Sequence, residues 1–72
     1  MGRLIHFSAL DRLMGFYRGK VHHHLAKQKF IGTYKKGGAR YLEISRAKVI
    51  ACELIIHSKR KLEDVIEDLD NY

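Results

Sequence analysis

The sequence has one cysteine, no proline, no tryptophan and no long apolar run. The single Cys52 excludes an internal disulfide and a zinc site built from cysteines, and it suits a reducing compartment. No apolar stretch approaches the ~20 residues that cross a membrane, and residues 1–7 lack the apolar core of a secretory signal. We therefore expect a cytoplasmic protein with no membrane partner.

Motifs for catalysis and metal binding are missing as well. His22, His23 and His24 are adjacent in a predicted helix, where they point about 100° apart and cannot all ligate one ion. The serines have capping roles, and the glycines at 37–38 do not belong to a phosphate-binding loop. Cys52 lies among apolar residues, so we expect it to be buried and inert. The sequence thus predicts no catalytic residue, no metal and no cofactor.

Acidic residues are scarce before residue 62. The net charge is +6, and all 14 Lys and Arg precede residue 62, where only Asp11, Glu43 and Glu53 oppose them. The remaining five acids fall within the last ten residues. A basic body predicts a polyanionic partner. The acidic end is either the charged side of an amphipathic helix or a contact for a second copy or a partner protein.

A chain of 72 residues forms one domain, which we place at residues 1–72. Residues 8–28 predict two short helices joined by a turn at residues 13–16. Ser8 suits the N-cap of the first helix, and Gly15 ends it. The second helix, at about residues 18–28, has Val21 and Leu25 on its inner face. The opposite face has no acid and no bulky apolar group, and it carries Gly19, His23, Ala26 and Lys27, flanked by Lys20 and His22.

Residues 30–44 predict a β-hairpin with strands at 30–34 and 40–44 around the two glycines. Lys35, Lys36 and Arg40 are clustered at its tip without an acid. Residues 4–7 predict a brief strand or an extended arm.

Residues 46–70 predict a C-terminal helix that follows an N-cap at Ser45. The apolar stripe is interrupted near Ser58, so a bend at that residue is the alternative. Val49, Cys52 and Ile56 form a second apolar face. This face either supports a homodimer or cooperative oligomer or is covered by the N-terminal arm and the hairpin.

The order of these motifs resembles the MerR/excisionase type of winged helix-turn-helix domain. The resemblance extends over about residues 7–51, and it departs from the family at Tyr17, where a small capping residue is usual, and at Gln28, which replaces a glycine. It is carried by Ser8-Ala9-Leu10, Leu13-Met14-Gly15-Phe16, Arg18, Val21, Leu25, Phe30-Ile31, the Gly37-Gly38 hairpin and Ser45-Arg46. The resemblance implies an α+β fold with two short helices, a two-stranded β wing and, in this chain, a long C-terminal helix.

The resemblance also implies sequence-specific binding to double-stranded DNA. We expect an excisionase-like protein or a small transcription regulator of prokaryotic or phage origin, associated with the nucleoid and with a recombinase or another protein as a further partner. Arg18 is the best candidate for a bidentate contact with guanine, and Tyr17 and Tyr34 could donate to phosphates. The full set of expected DNA-binding residues is Tyr17, Arg18, Gly19, Lys20, His22, His23, Lys27, Lys35, Lys36 and Arg40.

Two alternatives use the same basic face. One is a small phage- or plasmid-type inhibitor that binds an acidic protein. The other is an RNA-binding protein, although the deep major groove of RNA would exclude the helix.

Overall fold

A computed structural model describes residues 3–72 as four α-helices and a three-stranded antiparallel sheet. The α+β class is therefore confirmed, and the first two residues of the predicted domain lie outside the described residues. No helix in residues 3–72 combines the length and apolar character needed to cross a bilayer. The elements are β1 (Leu4–His6), α1 (Phe7–Leu13), α2 (Lys20–Lys27), β2 (Tyr34–Lys36), β3 (Ala39–Glu43), α3 (Ile44–Leu54) and α4 (Leu62–Asp70).

The sheet has β3 at its centre, in the order β1-β3-β2. The predicted strand near the N-terminus is confirmed as β1, and Ile5 pairs with Leu42 of β3. Both of these side chains are fully buried. The hairpin thus belongs to a larger sheet, because β1 pairs with its return strand.

The core lies between the sheet and the helices. Leu10 and Met14 of the α1 region meet Val21 and Leu25 of α2, as their spacing predicted. Contributions from the other elements include Ile5, Leu42, Ala47, Ile50, Ala51, Val65 and Leu69. Every helix therefore buries one apolar face, which is how so short a chain forms a single core.

Residues 46–70 do not form one helix, so the prediction of a long C-terminal helix is wrong. A 3-10 turn at Ile55–His57 follows α3, and the backbone at Ser58 is extended. The hydroxyl of Ser58 donates to the carbonyl oxygen of Met14 at 2.7 Å and accepts from the amide of Arg60 at 3.0 Å. These bonds tie the chain to the end of α1, and α4 then packs back against α3. The alternative of a bend at Ser58 is confirmed.

Both serine N-cap predictions are wrong. The N-cap of α1 is His6, whose Nδ1 accepts from the amide of Ser8 at 3.1 Å. The N-cap of α3 is Glu43, which makes no side-chain capping bond. The reason is that β1 and β3 run directly into the helices that follow them, so each helix begins earlier than a serine cap would allow. Ser45 lies inside α3.

The first strand of the hairpin was placed too early: it runs over Tyr34–Lys36 instead of the predicted residues 30–34. Lys29 and Phe30 both have φ of +57°, in the left-handed region, so this stretch turns instead of extending. The hydroxyl of Thr33 donates to the carbonyl oxygen of Phe30 at 2.7 Å and closes that turn. The predicted tip is confirmed, because Gly37 and Gly38 both have positive φ between paired strands.

The second apolar face of α3 is exposed, so the arm and the hairpin do not cover it. Val49 is 45% exposed and Ile56 is 82% exposed. Cys52 is also exposed, so the prediction that it is buried is wrong. Its helical position turns it away from Ile50 and Leu54, which face the core. Whether a second copy binds this face stays a prediction.

Candidate nucleic-acid interface

A buried carboxylate on α1 fixes the start of α2. Asp11 is only 2% exposed, and its two oxygens accept from the amides of Gly19 at 3.0 Å and Val21 at 2.9 Å. These amides belong to the first turn of α2, which lacks a capping side chain at Gly19. The two helices are therefore joined by charge-assisted hydrogen bonds as well as by apolar packing.

This role of Asp11 was not predicted from the sequence. One indication was available. The second helix has no Ser, Thr, Asp or Asn before its first turn, so its amides needed an acceptor from elsewhere.

The turn between α1 and α2 presents a basic and an aromatic side chain to solvent. Gly15 has φ of +74°, and the amide of Phe16 donates to the carbonyl oxygen of Asp11 at 2.8 Å. Tyr17 is 95% exposed, and Arg18 is also exposed. The second helix begins at Lys20, slightly later than predicted, so Tyr17 and Arg18 belong to the turn.

The outward face of α2 is exposed along its whole length. Val21 and Leu25 are fully buried on the inner side. The outward residues expected from the sequence are all exposed, and they comprise Gly19, Lys20, His22, His23, Ala26 and Lys27. The face carries cations and imidazoles with no carboxylate among them, which suits a polyanion.

A cleft of about 720 Å³ adjoins this face. Its lining combines Lys20, His23 and Lys27 of α2 with His57 and Lys59, which follow α3. Its remaining lining residues are Gly15, Phe16, Tyr17, Arg18, His24 and Leu54. None of these residues is acidic. His57 and Lys59 were not among the residues expected from the sequence, because only the reversal at Ser58 brings them beside α2.

A smaller pocket of about 370 Å³ lies on the α1 side of the turn. Arg12 and Arg18 both line it, together with the buried Asp11. Arg18 and Phe16 line this pocket and the larger cleft, so the turn forms the ridge between them. Arg18 is therefore accessible from both concavities.

The aromatic ring of Phe30 connects α2 to the hairpin. The guanidinium of Arg40 lies over this ring at 3.8 Å from its centroid, a cation–π contact. The ring of His22 lies 5.0 Å away, and Phe7 stacks at 6.5 Å. His22 and Arg40, both expected to bind DNA, are thus brought together, and Phe30 sets their positions.

Tyr34, which we expected to donate to a phosphate, already has an acceptor. Its hydroxyl donates to Oε1 of Glu43 at 2.6 Å across the hairpin. This hydrogen bond, together with the negative charge of Glu43, raises the pKa of Tyr34 above 10.0. Lys35 and Lys36 remain exposed beside it.

His24 faces α3 and does not belong to the outward face. Its Nε2 lies 2.8 Å from Oε1 of Glu53, and the amide of Gln28 donates to the same oxygen at 3.2 Å. The hydrogen bond from His24, then that from Gln28, lowers the pKa of Glu53 below its ordinary value of 4.5. Arg46 in turn donates to Gln28 Oε1 at 3.0 Å, which extends the network between the two helices.

The acids of α4 are partly neutralised within the chain. Asp68 pairs with Arg60 at 2.7 Å, and Asp70 pairs with Lys48. Glu63, Asp64 and Glu67 are exposed, and the ion pairs of residues 3–72 do not include them. This is the pattern of an amphipathic helix whose charged side faces solvent.

Among residues 3–72, no group of three His, Cys, Asp or Glu side chains is arranged to hold a metal ion. Comparison with family models, curated proteins and solved structures gave no match to this chain.

Proposed function

We propose that this chain is a sequence-specific DNA-binding protein of the winged helix-turn-helix type. In this proposal α2 enters the major groove, and the hairpin of β2 and β3 is the wing that meets the sugar-phosphate backbone. The role is that of an excisionase-like protein or a small transcription regulator of prokaryotic or phage origin.

One observation carries the proposal: the outward face of α2 is exposed, free of acids, and held at a fixed angle. Asp11 anchors the first turn of this helix to α1, at 3.0 Å from Gly19 and 2.9 Å from Val21. An α-helix with its side chains is about 10–12 Å across, which matches the roughly 12 Å width of the major groove. A helix that enters the groove must be fixed to its scaffold, and it must not carry acids toward the phosphates.

The individual residues have distinct roles in this proposal. Arg18 has the planar donor fork that reads guanine O6 and N7, and its place on the ridge leaves it accessible from both concavities. Lys20 and Lys27 contact phosphates, as do Lys35 and Lys36 from the hairpin. Each phosphate contact releases counterions, so the slope of log K against log salt concentration is about −0.9 per contact.

The partner proposals concern other surfaces. A homodimer or cooperative oligomer would form through the exposed face of Val49, Cys52 and Ile56, and a recombinase or another protein is a further candidate partner. Sedimentation velocity tests self-association, with Ile56→Lys as the disrupting variant. An unchanged monomer signal at high protein concentration would contradict the dimer.

The test of DNA binding is selection from a random-sequence duplex pool over a salt series. We expect one sequence motif to be enriched by the unchanged protein. Arg18→Ala should weaken binding and abolish the enrichment, whereas Arg18→Lys should keep most of the affinity and lose discrimination at one base position, because lysine keeps the charge without the fork. Lys61→Ala is the control, because it removes an exposed charge that does not line the cleft.

Other outcomes would overturn the proposal. Binding without enrichment would mean that the basic face is unspecific. Better competition by structured RNA than by duplex DNA would favour the RNA-binding alternative. Failure to bind either nucleic acid would favour an inhibitor that binds an acidic protein.

A further inference from the structure

The chain between α3 and α4 contributes two residues, His57 and Lys59, to the lining of the basic cleft, which Lys20, His23 and Lys27 of α2 also line. We refer to residues 57–59 as the cleft wall. Lysines that line one cleft repel each other unless an anion lies between them.

The cleft wall and the hairpin lie on opposite flanks of α2. The hairpin side is marked by His22, whose ring packs against Phe30. The cleft side is marked by Lys27, five residues later in the same helix. At about 100° per residue, these two side chains point roughly 140° apart.

We infer that the cleft wall is a second backbone-binding element, in which Lys59 and His57 contact the DNA strand across the major groove from the strand that the hairpin contacts. The inference rests on the proposed function. A major groove has one sugar-phosphate backbone along each edge, so a helix inside it has a phosphate chain on both flanks. The hairpin meets one of these chains, and the cleft wall meets the other.

The cleft wall is held in place by hydrogen bonds to the end of α1. The hydroxyl of Ser58 donates to Met14 O at 2.7 Å, and Arg60 donates to Leu13 O at 2.6 Å. Arg60 also donates to Asp68 at 2.7 Å, which links the wall to α4. A phosphate contact made from a prearranged segment loses little conformational entropy on binding.

The charge around the cleft favours a polyanion over a protein partner. No carboxylate lines the cleft. The nearest acid of α3, Glu53, is already bonded to His24 and Gln28. A protein ligand would need acids spaced to reach the basic residues from both segments that line the cleft, whereas a nucleic-acid strand supplies a phosphate at every nucleotide.

The test compares Lys59→Ala with Lys61→Ala. Both are exposed lysines of the same short segment with the same charge, but only Lys59 lines the cleft. We expect Lys59→Ala to make the slope of log K against log salt concentration less negative by about 0.9, one phosphate contact. Lys61→Ala should leave the slope within error of the unchanged protein. Circular dichroism melting of both variants verifies that each is folded.

Hydroxyl-radical footprinting shows which DNA strand each lysine contacts. Lys59→Ala should lose protection on one strand, and Lys35→Ala should lose it on the other strand. Loss on the same strand would overturn the assignment of opposite flanks, and equal slopes for the two lysine variants would overturn the wall as a contact. Those results leave the proposed function intact, whereas no DNA binding by the unchanged protein overturns both proposals.

Discussion

The hydrogen bonds that Asp11 accepts from the first turn of α2 allow a quantitative prediction. Its carboxylate accepts from Gly19 at 3.0 Å and from Val21 at 2.9 Å in a site that is nearly inaccessible to water. Hydrogen bonds to a charged group contribute about 1.5–3 kcal/mol each, and a buried amide left without an acceptor is costly. We therefore expect Asp11→Ala to lower the free energy of unfolding by about 3 kcal/mol.

A loss of that size is a large share of the total stability. A domain of 72 residues has a free energy of unfolding of about 4–11 kcal/mol. At about 4–8 °C per kcal/mol, the melting temperature should fall by at least about 12 °C. Asp11→Asn tests the charge and the acceptors at constant size. It keeps one oxygen acceptor but turns an NH2 donor toward the other amide, so we expect a loss of about 2 kcal/mol.

The assay is urea denaturation followed by circular dichroism, together with hydrogen exchange of the Val21 amide. Glu67→Gln is the matched control, because it makes the same acid-to-amide change on an exposed residue of α4. The capping interpretation is refuted if the free energy of unfolding of Asp11→Asn is within about 0.5 kcal/mol of that of the control, or if the Val21 amide keeps its protection in Asp11→Ala, which has no side-chain acceptor.

Three further predictions concern the hairpin turn, the contact between α2 and α3, and the chain reversal at Ser58. Gly37→Asn should leave the free energy of unfolding nearly unchanged, because asparagine tolerates positive φ in a two-residue hairpin turn. Gly38→Val should lower the free energy of unfolding by at least about 1 kcal/mol in urea denaturation, because φ there is +85° and a β-branched side chain resists it. The lowered pKa of Glu53 means that its bond to His24 stabilises the fold above pH 4.5 and loses this effect as the pH falls through the lowered value. The fold should thus lose part of its stability on acidification, and Glu53→Gln should reduce that dependence; identical pH–stability curves would contradict it. Ser58→Ala removes the donor to the carbonyl at the end of α1, and we expect a loss of about 1–2 kcal/mol by thermal melting. An unchanged melting temperature would mean that the reversal does not depend on this hydroxyl.

Local sequence patterns predicted the elements whose cause is local. The spacing of Val21 and Leu25 placed the inner face of α2, and the paired glycines placed the hairpin tip. The exposure of the outer face of α2 follows directly from that spacing, because a helix that buries one side must turn the residues between toward solvent.

Predictions based on local rules were wrong where a distant residue changed the outcome. A serine beside an apolar run usually caps a helix, but β1 and β3 enter α1 and α3 directly and leave no place for Ser8 or Ser45 as caps. Lys59, Arg60 and Lys61 have high helical propensity, yet the backbone at Ser58 is extended, and its hydroxyl donates to Met14, 44 residues earlier.

The sequence by itself determined a small basic domain with a pair of short helices, a β-hairpin and a helical C-terminal part, and it supplied most residues of the candidate interface. The tertiary structure alone decided three matters: that Asp11 caps the neighbouring helix, that Phe30 joins His22 to Arg40, and that Lys59 lines one cleft together with α2. The physical reason is that periodicity and capping preferences act over a few residues. Each of these contacts instead joins side chains that only the closed core brings together.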